Sequence, residues 1–164
     1  MELNLKGKIM SDPVVIVAAK RTAIGTLDGG LGTVPASTLG AAVIKNLLEE
    51  TGVSASDVDD VILGQVLTAG CGQNPARQTL IEAGIPESST ALTINQVCGS
   101  GLRSVALGMQ AIVSGDSKIV IAGGQENMTL SPHVINLRKP VKFGNAEMKD
   151  SMILDGLWDC FNDY

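Results

Sequence analysis

The sequence predicts an α/β fold in which strands and helices alternate, βαβαβαβ, around a mostly parallel sheet. Three observations carry this. Short apolar, β-branched runs alternate with helical periods over the first 125 residues. Glycine, at 19 of 164 residues, recurs where those segments end. Apolar residues make up 45% but aromatics only 2%, a composition suited to helices packed closely on a sheet. Alternation of this kind implies parallel strands joined by right-handed crossovers.

Residues 13–20 contain V-V-I-V-A-A, a continuous run expected of a strand buried on both faces. Residues 21–35 are rich in Gly and Thr and read as a loop. Ser37 or Thr38 is placed to cap a helix running to Thr51. Leu39, Val43, Ile44, Leu47 and Leu48 form its apolar face, and Gly52 ends it. Residues 58–68 read as the second strand. Asn74 and Pro75 form an N-cap and first-turn pair for a short helix to about Ala83, stopped at Gly84. Residues 90–94 read as a third strand, residues 99–114 as a long helix, and residues 118–122 as a fourth strand. After Gln125 no period is sustained, and the chain reads as an irregular excursion with a helical turn or two in residues 150–158. Residues 1–11 read as a disordered N-terminal extension, 12–125 as the α/β domain and 126–164 as the start of a second unit.

The long helix is unusual. Between Leu102 and Val113 only Arg103, Ser104 and Gln110 are polar, and they fall in one arc of roughly 120°. The remaining apolar arc is wider than one sheet face requires. It predicts burial on two sides, with the second layer supplied by another subunit or another half of the same protein.

Several functions are disfavoured. Net charge is −5, with no basic run and few aromatics, so nucleic acid is not an expected partner. No apolar run approaches the roughly 20 residues of a membrane span. Three cysteines without a C-x-x-C, and a single histidine, His133, are a poor zinc set. No signal-like segment opens the chain, which favours a reducing, cytoplasmic setting. No G-x-x-x-x-G-K-[ST] or G-x-S-x-G occurs.

Cys98 is the candidate for chemistry. It follows the third strand, precedes two glycines and stands where the long helix begins, in N-Q-V-C-G-S-G-L-R-S. A thiol there meets unpaired N–H groups and the positive end of the helix dipole, which favour the nucleophilic thiolate. A small buried core cysteine is the competing reading. His133 reads as a loop histidine, Cys71 and Cys160 as structural, and Glu126 and Asp150 as isolated acids rather than an acid–base pair.

The segment N-Q-V-C-G-S-G-L-R-S, followed by V-A-L-G-M-Q-A-I, resembles the acyl-enzyme motif of the thiolases, acetyl-CoA acetyltransferases in particular. So do V-V-I-V-A-A-K-R-T-A-I-G, G-Q-V-L-T-A-G-C-G-Q-N-P-A-R-Q, A-G-G-Q-E-N-M-T-L-S-P-H and M-I-L-D-G-L-W-D-C-F-N-D-Y, in family order. A β-ketoacyl synthase shares the fold logic and a cysteine nucleophile, but the N-P-A-R-Q and E-N-M-T-L-S-P-H segments favour a thiolase.

The resemblance implies a thiolase-like fold, with 12–125 its N-terminal half and 126–164 the start of the loop domain. It implies joining of two acetyl-CoA into acetoacetyl-CoA and CoA, reversibly, through an acyl group on Cys98. Acyl-CoA thioesters would be substrates, with no metal or redox cofactor, and the family implies a homo-dimer or tetramer. Its His-Met-Gly, N-E-A-F, G-H-P and C-x-G segments have no counterpart in these residues. An inactive fragment, or a chain completed by a complementing C-terminal half, is therefore the alternative expectation.

Overall fold

The computed structural model describes residues 13–138 and 141–164. The proposed extension over 1–11 lies outside the described residues. The principal elements are α1 (Ala36–Thr51), β1 (Asp60–Gly64), α2 (Pro75–Glu82), β2 (Thr90–Ile94), α3 (Ser100–Ser114) and β3 (Val120–Gly124). The three strands form one parallel sheet in the order β2-β1-β3, with Val61 in register with Ala91 and Ile121. A two-stranded antiparallel ribbon follows, β4 (His133–Val134) with β5 (Lys149–Asp150).

Alternation along β1 divides the layers. Val61 and Leu63 face a core with Ala41 and Ile44 of α1, Ala76 and Leu80 of α2, and Val58 and Ile85. On the other side Gly64 meets Ser100 of α3, and Gly108 of α3 lies over Val120 and Ala122 of β3. The sheet is thus sandwiched between α1 with α2 and α3 alone.

Local signals placed the helix ends well. Gly52 takes a left-handed φ of 67° and donates to Leu48 O, closing α1. The Asn74 side chain accepts from the Arg77 N–H, with Pro75 in the first turn of α2. Gly84 has φ 86° and ends that helix. At the start of α1, however, the cap is Pro35 and no side chain caps. Thr38 instead donates to Glu82 on α2 (3.0 Å), so tertiary pairing of α1 with α2 takes the hydroxyl that local reasoning assigned to capping.

The sheet departs from expectation in two ways. Residues 13–20 join no ladder among the described residues, and Ile16 is 78% exposed. An apolar β-branched run sets extended backbone, but a buried strand also needs neighbours on its edges. Here a Lys20–Glu50 ion pair ties the segment to α1. The second correction concerns strand ends. β1 is shorter than residues 58–68 because the Glu126 carboxylate takes the Val66 and Leu67 N–H groups (2.8 and 3.2 Å). β3 starts two residues late because the Asp59 carboxylate takes the N–H groups of Lys118 and Ile119 (2.6 and 3.0 Å).

α3 also resolves in an unexpected orientation. Its sheet-facing row is Ser100, Ser104 and Gly108, all buried. Ser104, placed by sequence on the polar face, is fully buried, and its one hydroxyl proton is shared between Gly101 O and Gly123 O (2.6 and 2.7 Å). Small residues let the helix lie close to the strand; a Cβ on Gly124 would stand 3.4 Å from Gly101 Cα. Leu102, Val105, Met109 and Val113 point away and are exposed, Leu102 at 79%. The sheet therefore covers one face, and the apolar remainder lies open.

Beyond Gln125 the chain is largely irregular, as expected, but the β4–β5 ribbon was not foreseen. Strands of two residues carry too short a pattern to read. The helical segment near the end contains a π-helical turn, Ile153–Leu157.

Candidate active site

β2 ends at Ile94, and α3 begins at Ser100 after a connection of residues 95–99. Cys98 sits in this connection and is exposed. Exposure removes the buried-core reading and leaves a thiol at the mouth of a strand-to-helix turn. Gly99 is the N-cap, and no side chain caps α3. The positive end of the α3 dipole thus begins within two residues of Cys98.

The turn is held by hydrogen bonds. Gly99 N–H donates to Gln96 O and Ser100 N–H to Val97 O (each 3.1 Å). Val97 N–H donates to Asn95 Oδ1 (2.9 Å), and Asn95 Nδ2 reaches Val66 O (3.4 Å). Ser100 Oγ accepts from Gln96 N–H (2.8 Å) and donates to Val97 O (2.5 Å). Val97 has φ 49°, a left-handed conformation that a β-branched residue enters at a cost of about 1–3 kcal/mol.

Beneath the turn a second network joins the ends of β1 and β3 to α2. Thr79 Oγ1 donates to Gln125 Oε1 (2.7 Å), Gln125 Nε2 to Gln65 Oε1 (3.0 Å), and Gln65 Nε2 to Leu67 O (3.0 Å). All three side chains are buried. A satisfied buried network of this kind specifies one arrangement of the strand ends. Gly40 admits it, because a Cβ there would stand 2.2 Å from Gln125 Oε1.

The remaining sequence candidates fall elsewhere. His133 is exposed on β4, in register with Asp150. Asp150 Oδ1 accepts from Met152 N–H (2.9 Å). Glu126 caps the end of β1, and burial raises its carboxyl above the usual range despite two backbone donors. Cys71 and Cys160 are exposed rather than built into the core; Cys71 Sγ lies 3.6 Å from Gln65 Nε2. No group of three His, Cys, Asp or Glu side chains suited to a metal occurs among the described residues. No described helix is long and apolar enough to cross a membrane.

Sequence reasoning missed Val97, Ser100, Gln65 and Gln125. Ser100, two residues after Cys98, had a signal in its position within the turn. The glutamines had none, because their partners are 46 and 60 residues apart.

Residues 14–164 match the family described as Thiolase, N-terminal domain. This chain belongs to the thiolase family. The match favours the thiolase over the β-ketoacyl synthase reading. An acetyl-CoA acetyltransferase of Pseudomonas aeruginosa is 60% identical over 152 residues, covering 92% of this chain and 39% of that protein. One from Chromobacterium violaceum is 61% identical over the same length and shares. A probable acetyl-CoA acetyltransferase of Escherichia coli K12 is 57% identical over 152 residues, again 92% and 39%. The thiolase chain thus spans about two-fifths of the length of the curated relatives it matches.

Proposed function

We propose that this chain carries the acyl-accepting part of an acetyl-CoA C-acetyltransferase, which joins two acetyl-CoA into acetoacetyl-CoA and CoA, reversibly. The observation that carries the reading is Cys98, exposed on the turn between β2 and α3 in a thiolase domain. The identity of 60% to a protein named for that activity supports the substrate class.

The Cys98 thiolate attacks the thioester carbonyl carbon. A new C–S bond forms to Cys98 and the C–S bond to coenzyme A breaks. The leaving thiolate takes the electron pair and then a proton. One thioester replaces another, so the step is nearly balanced, and its rate depends on the nucleophile and on N–H donors to the tetrahedral oxyanion. The Cys98 N–H is the donor we assign from this chain. In the second step the methyl carbon of another acetyl-CoA loses a proton, attacks the acyl-Cys98 carbonyl and releases the thiolate. No electrons are exchanged, so neither step calls for a redox cofactor.

A second reading has its own support: the chain is inactive alone and works with a complementing C-terminal half. The open apolar face of α3 favours it, as does the single histidine, His133, lying on β4 and not on the Cys98 turn. The family's histidine base, proton-moving cysteine, homo-oligomeric assembly and cytoplasmic place would then belong to the complete enzyme.

Thiolysis of acetoacetyl-CoA by CoA tests activity, and mass mapping after exposure to acetyl-CoA tests the acyl site. We expect acetylation at Cys98, little turnover by the chain alone and none after Cys98→Ala in a complemented enzyme. Acetylation elsewhere, with Cys98 unmodified, would overturn the assignment.

A further inference from the structure

We infer that Ser100 is a positioning residue for Cys98: its hydroxyl clamps the turn that holds Val97 in a left-handed conformation. The inference rests on the reading of Cys98 as the nucleophile. Three features carry it. First, the Ser100 hydroxyl spans the turn in both directions, accepting from Gln96 N–H and donating its one proton to Val97 O. It thereby brackets Gln96 and Val97, the two residues just before Cys98.

Second, side-chain packing offsets the strain at Val97 only in part. Val97 is 52% exposed at φ 49°. The hydrogen bonds around it therefore hold the conformation: Asn95 Oδ1 takes the Val97 N–H, Gly99 N–H reaches Gln96 O, and Val97 O accepts from both the N–H and the hydroxyl of Ser100. Third, Ser100 has little freedom of its own. It is buried, and β1 closes on it so tightly that a Cβ at Gly64 would stand 2.5 Å from Ser100 Cβ. A fixed side chain gripping a strained turn transfers the rigidity of β1 to the residue beside it, which is Cys98. The hydroxyl touches no reacting atom, so its role is positional.

Val97 separates a positional role for Ser100 from a plain stability role. Glycine enters the left-handed region without the steric cost of valine, so a glycine there makes the clamp dispensable. The experiment measures iodoacetamide alkylation of each cysteine by mass mapping in the full chain at one pH, with Cys71 and Cys160 as internal references. The variants are Ser100→Ala, Val97→Gly and both together. We expect Cys98 to react fastest in the parent, to slow by about tenfold in S100A as the thiol leaves the helix start, and to keep its rate in V97G. The double variant recovers the rate.

An unchanged Cys98 rate in S100A overturns the clamp and leaves the nucleophile reading standing. A parent in which Cys98 reacts more slowly than Cys71 and Cys160 overturns that reading, and the inference with it. If S100A does not fold, the double variant decides. Folding with a fast Cys98 supports the clamp; failure to fold overturns it.

Discussion

Gly64 and Ser100 meet so closely across the β1–α3 interface that a methyl group on the glycine would stand 2.5 Å from the serine Cβ. That contact couples the end of the central strand to the turn bearing Cys98. Replacing Gly64 by alanine must move either β1 or Ser100. Overpacking of this kind costs about 1–3 kcal/mol. We expect G64A to lower the urea midpoint and slow Cys98 alkylation together. A variant that loses stability while Cys98 keeps its rate would separate the interface from the turn.

Two carboxylates end the strands with opposite pH consequences. Backbone N–H groups of Lys118 and Ile119 hold Asp59 below the usual range, so its contribution is present above the ordinary carboxylate value and lost as pH falls through the lowered one. Burial holds Glu126 above its usual range. The folded state then binds the proton more tightly than the unfolded state, and stability falls as pH rises from about 4 through the raised value. Glu126→Gln should flatten stability against pH in that window, and Asp59→Asn should flatten it at the acid end. Denaturant melts across pH 3 to 7 check both; a parent-like slope above pH 4 in E126Q contradicts the first.

The outward face of α3 should tolerate charge in the chain alone. Leu102 is 79% exposed, so Leu102→Glu is expected to change stability by no more than about 0.5 kcal/mol. The same change should abolish co-purification with a complementing C-terminal half, because it places an unpaired charge in an apolar contact. Equal recovery of the complex with L102E would rule out α3 as the contact.

Asn74 does two jobs at the start of α2. Its Oδ1 accepts from Arg77 N–H (3.3 Å) and Thr93 Oγ1 (2.7 Å), while Nδ2 donates to Ala91 O (3.0 Å). Its φ of 39° is left-handed. Asn74→Ala should cost about 0.5–2 kcal/mol through the lost cap, plus a penalty at positive φ. Asn74→Gly should cost less, since glycine accepts that backbone. Thermal melts of the two variants give the order, and a milder alanine would refute the backbone part.

Whatever depends on near neighbours was legible along the chain. Asn74 with Pro75, Gly52 and Gly84 act within a few residues, so they mark helix ends without reference to the fold. The strand Thr90–Ile94 and the placement of Cys98 before a helix were readable for the same reason, and successive motifs in order carried the family. What depends on distant groups emerged only from packing. Asp59 and Glu126 end strands from 59 to 60 residues away. Ser104 is buried because Gly123 O offers an acceptor and small residues let α3 lie against β3. Residues 13–20 have an apolar strand's composition and no ladder among the described residues. A pattern along the chain records which groups seek burial or a partner; which partner they find is settled only when the layers pack.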